Sequence, residues 1–299
     1  MENKNVTSIN IVDFATIIGN DAIYVDKTEY LANIIDRGYK SWLLFRPMGF
    51  GKSLTMSTLK SIFSGDRELF RGLAIEKRLH DPLFAPRPVI HLDMGSIETG
   101  GGIDDFEKSL NLIILDIAKS LGVEVDDYIY PSRAFYILIV ECHKKYGFPP
   151  AILIDDYDAP VRAFLDAPYQ KDQVINCLDD FYIQLKANAE HISFVFVTGI
   201  TKIHMPYLSG ALNNLSNISF DRKCGPFTGF THEEILLYYQ HQIREAAKSQ
   251  MMSEEELLNK IKEYYYGYCY DRQTYLYNPY RILHFFEAKD FSSLWFESD

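Results

Sequence analysis

Ser41-Trp42-Leu43-Leu44-Phe45-Arg46-Pro47-Met48-Gly49-Phe50-Gly51-Lys52-Ser53-Leu54-Thr55-Met56-Ser57-Thr58-Leu59-Lys60-Ser61-Ile62-Phe63 decides how the rest of the chain is read. An apolar run, a glycine-bearing loop and a helix-like segment follow one another. Gly-Lys-Ser stands where a phosphate-binding loop places it. Successive backbone N–H groups of such a loop, with the positive end of the following helix, form a concave anion site. Gly49 and Gly51 would take backbone angles closed to other residues and let phosphate oxygens approach the chain. Lys52 would reach the β- and γ-phosphates of a nucleotide, and the Ser53 hydroxyl would take one place on Mg²⁺. Arg46 stands in place of the first glycine of G-x-x-x-x-G-K-[ST]. That position begins the loop rather than touching the phosphates. The nucleotide-binding set on this reading is Arg46, Pro47, Gly49, Phe50, Gly51, Lys52, Ser53 and Leu54, holding ATP with Mg²⁺. The alternative is a strand-to-helix turn that merely ends in Gly-Lys-Ser.

From residue 41 to about 200, apolar runs alternate with amphipathic segments. Trp42–Phe45, Val89–Leu92, Ala151–Ile154 and Ile192–Val197 are short and apolar nearly throughout, as strands covered on both faces are. Lys52–Ser64, Ile103–Leu121, Ser132–Tyr146 and Lys171–Ala189 read as the helices between them. The pattern predicts an α/β fold, a doubly wound, mainly parallel sheet flanked by helices, with ligands beyond the carboxyl ends of the strands. Gly100-Gly101-Gly102 has no strand or lysine beside it and reads as a connection.

With 299 residues the chain has room for one large domain or a domain with an appended subdomain. A net charge of −11 argues against a general polyanion-binding surface, and so against direct nucleic-acid binding. Cys142, Cys177, Cys224 and Cys269 are scattered with no C-x-x-C pair, which points to reduced thiols in a cytoplasmic protein. The polar start Met1-Glu2-Asn3-Lys4-Asn5 lacks a signal core, and no apolar run reaches the length of a membrane span.

Ala151-Ile152-Leu153-Ile154-Asp155-Asp156 is a buried-type strand ending in two carboxylates. In a P-loop ATPase the acid at this strand end holds Mg²⁺, which makes Asp155 the second metal residue beside Ser53. Where an extra strand separates the loop strand from this one, the next acid polarises the attacking water. Asp156 takes that role, with Val89–Leu92 as the expected intervening strand. Asp158 would substitute for it or cap a turn. Phe194-Val195-Phe196-Val197-Thr198-Gly199-Ile200-Thr201-Lys202 ends in hydroxyls and a cation. Thr198 or Thr201 would bond the attacking water, and Lys202 would stabilise charge on the transferred group. Solvated strand ends are the plainer alternative for both segments.

After residue 226 the texture changes. Thr231-His232-Glu233-Glu234 and Ser253-Glu254-Glu255-Glu256 look like helix starts, predicting helices over about 231–248 and 253–266. The tyrosine run Tyr264-Tyr265-Tyr266-Gly267-Tyr268-Cys269-Tyr270 lacks the lysines and arginines of a base-stacking platform and reads as packing against the core. The expected divisions are 1–40 as a segment packed on the core, 41–226 as the core and 227–299 as a helical, tyrosine-rich subdomain.

Tyr24-Val25-Asp26-Lys27-Thr28, Arg46-Pro47, Phe50-Gly51-Lys52-Ser53, Leu153-Ile154-Asp155-Asp156-Tyr157-Asp158 and Thr198-Gly199-Ile200-Thr201-Lys202 occur in that order. Gly229-Phe230-Thr231 and Asn278-Pro279-Tyr280 follow. The combination resembles the AAA-ATPase-like family of bacterial proteins. The resemblance implies a P-loop NTPase core with a C-terminal helical lid. Together with the residues above, the leading reading is an ATP-binding protein with slow hydrolysis used as a switch, with a homo-oligomer or protein partner. The resemblance also implies a link to nucleic-acid processing, because many members continue into a PD-(D/E)XK nuclease-like domain. This sequence stops at about the point where such a domain would begin. Two departures stand out: Met48-Gly49 where the family usually has two arginines, and Asp156 where it usually has Glu. A nucleotide-responsive interaction module without hydrolysis, and a small-molecule kinase, are the competing readings.

Overall fold

Four short, apolar runs become the long strands of one sheet. The computed structural model describes residues 11–38, 40–126, 129–202 and 215–291. Strands β1 (Ser41–Phe45), β2 (Val89–Asp93), β3 (Ala151–Asp155), β4 (Phe194–Gly199) and β5 (Ser216–Asn217) pair in the order β2-β3-β4-β1-β5, all parallel. Leu44 is opposite Thr198 and Asp93 is opposite Asp155, so the polar strand ends line up along one edge.

Alternation along each strand divides the core in two. Leu43, Ile152, Ile154, Val195 and Val197 face helices α4 (Ile103–Ser120), α5 (Pro131–Tyr146) and α7 (Pro168–Ala187). Trp42, Leu44, Leu153, Phe194 and Phe196 face α1 (Phe14–Gly19), α2 (Thr28–Asp36) and α3 (Lys52–Ser64). Helices therefore cover both faces of the sheet. A short helix α6 (Ala159–Ala163) follows β3 directly.

The strand order corrects one expectation. The strand between β1 and β3 is β4, and Val89–Asp93 lies at the sheet edge. Burial gives the reason: β4 is buried at every position, whereas β2 carries the half-buried His91 and the exposed Asp93 that an edge tolerates.

Residues beyond 228 build a third hydrophobic cluster, into which Ile23 and Val25 of the N-terminal segment insert. Its helices are α8 (His232–Tyr238), α9 (Gln240–Ser249), α10 (Glu254–Tyr265) and α11 (Pro279–Ala288). Capping boxes at Thr231/Glu234 and Ser253/Glu256 start α8 and α10 where the sequence predicts. The helix expected over 231–248 is broken at Tyr239 (φ −116°, ψ 22°). The tyrosine run leaves helix at Tyr266 and forms a hairpin, β6 (Tyr266–Cys269) with β7 (Tyr275–Tyr277), that the sequence reading misses.

Candidate functional site

The loop after β1 has the geometry an anion needs. The Arg46 N–H donates to Gly199 O at 3.1 Å, extending the β1–β4 ladder by one bond. Gly49 (φ +76°) and Gly51 (φ +81°) then occupy the left-handed region that favours glycine. Gly51 is the N-cap of α3 and offers no side chain, so the first-turn N–H groups of α3 lack a side-chain cap. Those groups carry the positive end of the helix dipole. The Lys52 side chain, 6% exposed, returns across the loop with Nζ 3.4 Å from Pro47 O and 3.4 Å from Asp156 Oδ1. Ser53 and Leu54 are half-buried in the first turn.

The end of β3 stands beside that lysine. Asp155 is buried, and its Oδ1 accepts from the Thr198 hydroxyl and from the Asp156 N–H at 3.1 Å. The Asp156 N–H also reaches Thr198 Oγ1 at 3.2 Å. Asp156 holds a positive φ of 46°, and its buried Oδ1 is ion-paired with Lys52 Nζ at 3.4 Å. Burial pushes the Asp156 carboxyl upward, against the pull of Lys52. Lys52, Asp155, Asp156 and Thr198 are thus brought together from three elements far apart in the chain.

Other predicted residues fall outside this cluster. Asp158 is fully buried and caps the exit of β4: its carboxylate accepts from the N–H groups of Ile200 and Thr201, each at 3.1 Å. It also accepts from Thr201 Oγ1 at 3.2 Å and Arg162 Nε at 3.1 Å. Thr201 is held there rather than beside Asp155. Lys202 is exposed, with no ion pair to Asp155 or Asp156 among the described residues. Arg46 is 1% exposed and turned away from the loop's concavity. Its Nη1 donates to Phe45 O and Ser219 O, both at 2.8 Å, and its Nε donates to Thr228 Oγ1 at 3.0 Å. Its guanidinium stacks 3.8 Å from the Tyr270 ring centroid. Burial lowers its pKa to about 10, which leaves it cationic at neutral pH.

Residues 228–284 contribute a wall that the sequence reading does not assign to the site. Asn278 Nδ2 donates to Met48 O at 3.0 Å, and the Tyr280 N–H donates to Gly49 O at 3.1 Å. Asn278 is also the N-cap of α11, with Pro279 at the first position. That Asn-Pro start is a legible helix signal, but nothing in it announces contact with the loop. Beside Gly51 and α3 a cavity of about 290 Å³ opens, lined largely by apolar groups including Ile23, Tyr24, Leu54, Phe230 and Leu283. Lys27 ties this wall to the N-terminal segment: its Nζ donates to Glu234 Oε1 at 2.5 Å and Pro226 O at 2.8 Å. Asp26 accepts from the Thr28 and Ala74 N–H groups at 2.8 and 2.7 Å, which makes the 24–28 segment a brace rather than a surface turn.

A family model described as Predicted AAA-ATPase matches residues 8–209, which include the loop, both carboxylates and the Thr198 strand end. The chain belongs to the AAA-ATPase-like family. A relative from Azotobacter chroococcum mcd 1, named only as an uncharacterized protein in the vnfD 5′ region, is 29% identical over 294 residues. The match covers 97% of this AAA-ATPase-like chain and 53% of that protein, so the chain spans about half the length of the curated relative it matches. No helix among the described residues of this family member is long and apolar enough to cross a membrane.

Proposed function

We propose that this chain binds ATP with Mg²⁺ and hydrolyses it slowly, as a nucleotide switch in the cytoplasm. On this reading residues 41–226 are a doubly wound P-loop NTPase core, and the unit from 227 onward is its lid. The carrying observation is the convergence of Lys52, Asp155, Asp156 and Thr198 on an uncapped helix N-terminus beside an apolar cavity. The cavity's about 290 Å³ suits a nucleobase with part of a ribose. The loop N–H groups and Lys52 bind the phosphates, and Leu54 with Phe50 and Tyr24 forms the apolar ground for the base.

The residues fit Mg²⁺. Asp155 is a buried oxygen donor fixed by Thr198, Ser53 stands in the first turn of α3, and the neighbouring Asp156 adds a second carboxylate beside Lys52. Asp155 and Ser53 would hold the ion, which when bound neutralises charge on the β- and γ-phosphates. Asp156 accepts the proton of the attacking water, and Thr198 orients Asp155 and Asp156 through its hydroxyl. Lys202 enters the site only if the β4 exit closes over the γ-phosphate.

The Lys52–Asp156 ion pair supports a second reading, nucleotide binding without useful turnover. The pair must separate before Lys52 can serve phosphates, and Asp is one methylene shorter than Glu. A nucleic-acid-linked role would belong to a longer protein that carries a nuclease-like domain.

Calorimetry with ATP, GTP and ADP in Mg²⁺, followed by phosphate release on the same sample, tests both readings. Micromolar ATP binding that Lys52→Ala abolishes is the expected result. Equal binding by the wild type and Lys52→Ala would remove the site. Binding without phosphate release selects the second reading.

A further inference from the structure

Arg46 occupies the position where a phosphate loop ordinarily begins with glycine, yet its side chain is buried and does none of the loop's work on a ligand. Burying a guanidinium is costly unless its donors are satisfied. Three bonds go to Phe45 O, Ser219 O and Thr228 Oγ1, while Nη2 has no hydrogen-bond partner. What remains for the charge is the face of Tyr270, 3.8 Å away, on the hairpin of the C-terminal unit.

The same hairpin holds the other end of the loop. The Phe50 ring packs edge-on against Tyr268, with centroids 4.8 Å apart, and against Tyr270 at 5.8 Å. Asp271 ties the hairpin turn together, its Oδ1 accepting from the Gln273 and Thr274 N–H groups at 2.8 and 2.6 Å. Between Arg46 and Phe50, the Met48 and Gly49 carbonyls accept from Asn278 and Tyr280. A trans peptide sets its N–H opposite its C=O. Drawing these two carbonyls toward the C-terminal unit therefore turns the Gly49 and Phe50 N–H groups to the opposite side.

We infer that Arg46 and Tyr270 are positioning residues that hold the phosphate loop in its anion-binding form while the 266–277 hairpin is docked, linking hairpin position to phosphate affinity. The inference rests on the nucleotide reading of the loop. Linkage runs both ways: whatever loosens the hairpin weakens the phosphate site, and phosphate binding steadies the hairpin.

Hydrogen exchange of the 46–55 peptide in the ligand-free protein tests the structural half. Calorimetric affinity for Mg-ATP tests the functional half. Tyr270→Leu removes the stacking face and should speed exchange in that peptide and weaken Mg-ATP about tenfold. Exchange across 151–157 should stay unchanged. Tyr270→Phe keeps the face and should match the wild type in both readouts. Arg46→Met combined with Tyr270→Leu should be no worse than the more damaging single variant. Wild-type exchange and affinity in Tyr270→Leu would overturn the inference. Should Tyr270→Leu speed exchange throughout the chain, Arg46→Lys replaces it, since lysine keeps charge but loses the planar fork, and the same outcomes decide. If the wild type binds no Mg-ATP, the nucleotide reading fails by itself. Exchange in the ligand-free variants still decides whether the hairpin sets the loop.

Discussion

Lys52 Nζ lies 3.4 Å from Asp156 Oδ1, so the lysine of the loop after β1 is paired with the carboxylate that follows β3. The lysine is 6% and the aspartate 28% exposed, which places the pair where water screens it only partly. A ligand phosphate has to compete with Asp156 for the same ammonium group. Asp156→Asn removes that competitor. Mg-ATP affinity should rise severalfold in calorimetry while phosphate release falls to background. Unchanged affinity with intact turnover would show that Asp156 neither restrains Lys52 nor activates water.

Thr198 joins the Asp155 carboxylate to the Asp156 backbone. Its hydroxyl donates to Asp155 and its oxygen accepts from the Asp156 N–H, and Thr198 and Asp155 are both buried. Thr198→Val keeps the shape and strips both bonds, and should destabilise the protein by about 1–3 kcal/mol in urea unfolding. Mg²⁺ dependence of nucleotide binding should weaken in parallel. A stability equal to wild type would mean that water replaces the hydroxyl.

The two loop glycines differ in what surrounds them. A Cβ on Gly49 would fall 2.6 Å from Tyr280 Cβ and 2.8 Å from Asn278 Oδ1, in addition to the strain of its φ of +76°. On Gly51 a Cβ would meet open space, leaving only the strain at φ +81°. Gly51→Ala should cost about 1 kcal/mol and Gly49→Ala about 2–4 kcal/mol, both by thermal unfolding. Equal losses would argue against close seating of α11 on the loop.

Glu234 and Glu256 close matching capping boxes, but only Glu234 also binds Lys27. Lys27 is 13% exposed, and burial lowers its pKa despite the attraction of Glu234. Glu234→Ala should therefore lower the melting temperature more than Glu256→Ala, since it leaves a largely buried ammonium group unpaired. Adding Lys27→Met to Glu234→Ala should recover part of the loss. No recovery would assign the whole effect to the cap.

Asp13 caps α1, accepting from the Thr16 N–H at 2.8 Å and hydroxyl at 2.6 Å and from the Ser57 hydroxyl at 2.9 Å. Its bonds to Thr16, the largest of them, hold the carboxyl below its ordinary range. A lowered folded-state pKa stabilises the protein above the unfolded value, and that gain is lost as pH falls through the folded one. The stability advantage of wild type over Asp13→Asn should be full above about pH 4 and shrink below it. An advantage that persists to about pH 2 would show that the ionised form is not what the cap uses.

Much of the fold is legible because its signals are local. Alternation of fully apolar runs with amphipathic segments located the four long strands and α3, α4, α5 and α7 to within a few residues. The capping boxes marked the starts of α8 and α10. The 266–277 hairpin and the position of β2 were not legible. A tyrosine-rich run satisfies helix and strand equally, and strand order depends on which strand is buried from both sides.

The candidate site divides the same way. The residues from Gly49 to Ser53 can be read directly, since left-handed glycines, an uncapped helix start and a lysine within reach are properties of consecutive residues. Asp155, Asp156 and Thr198 were found as strand ends, and parallel pairing necessarily gathers such ends along one edge. The direction of Arg46 was decided only by the tertiary structure. A side chain that could have faced a phosphate instead found the carbonyls of Phe45 and Ser219 and the ring of Tyr270, because a second unit packs over the loop. Local sequence determined that a glycine-bearing loop with an uncapped helix start forms; long-range packing decided that the C-terminal unit holds it, since burial of a charge depends on every element that closes over it.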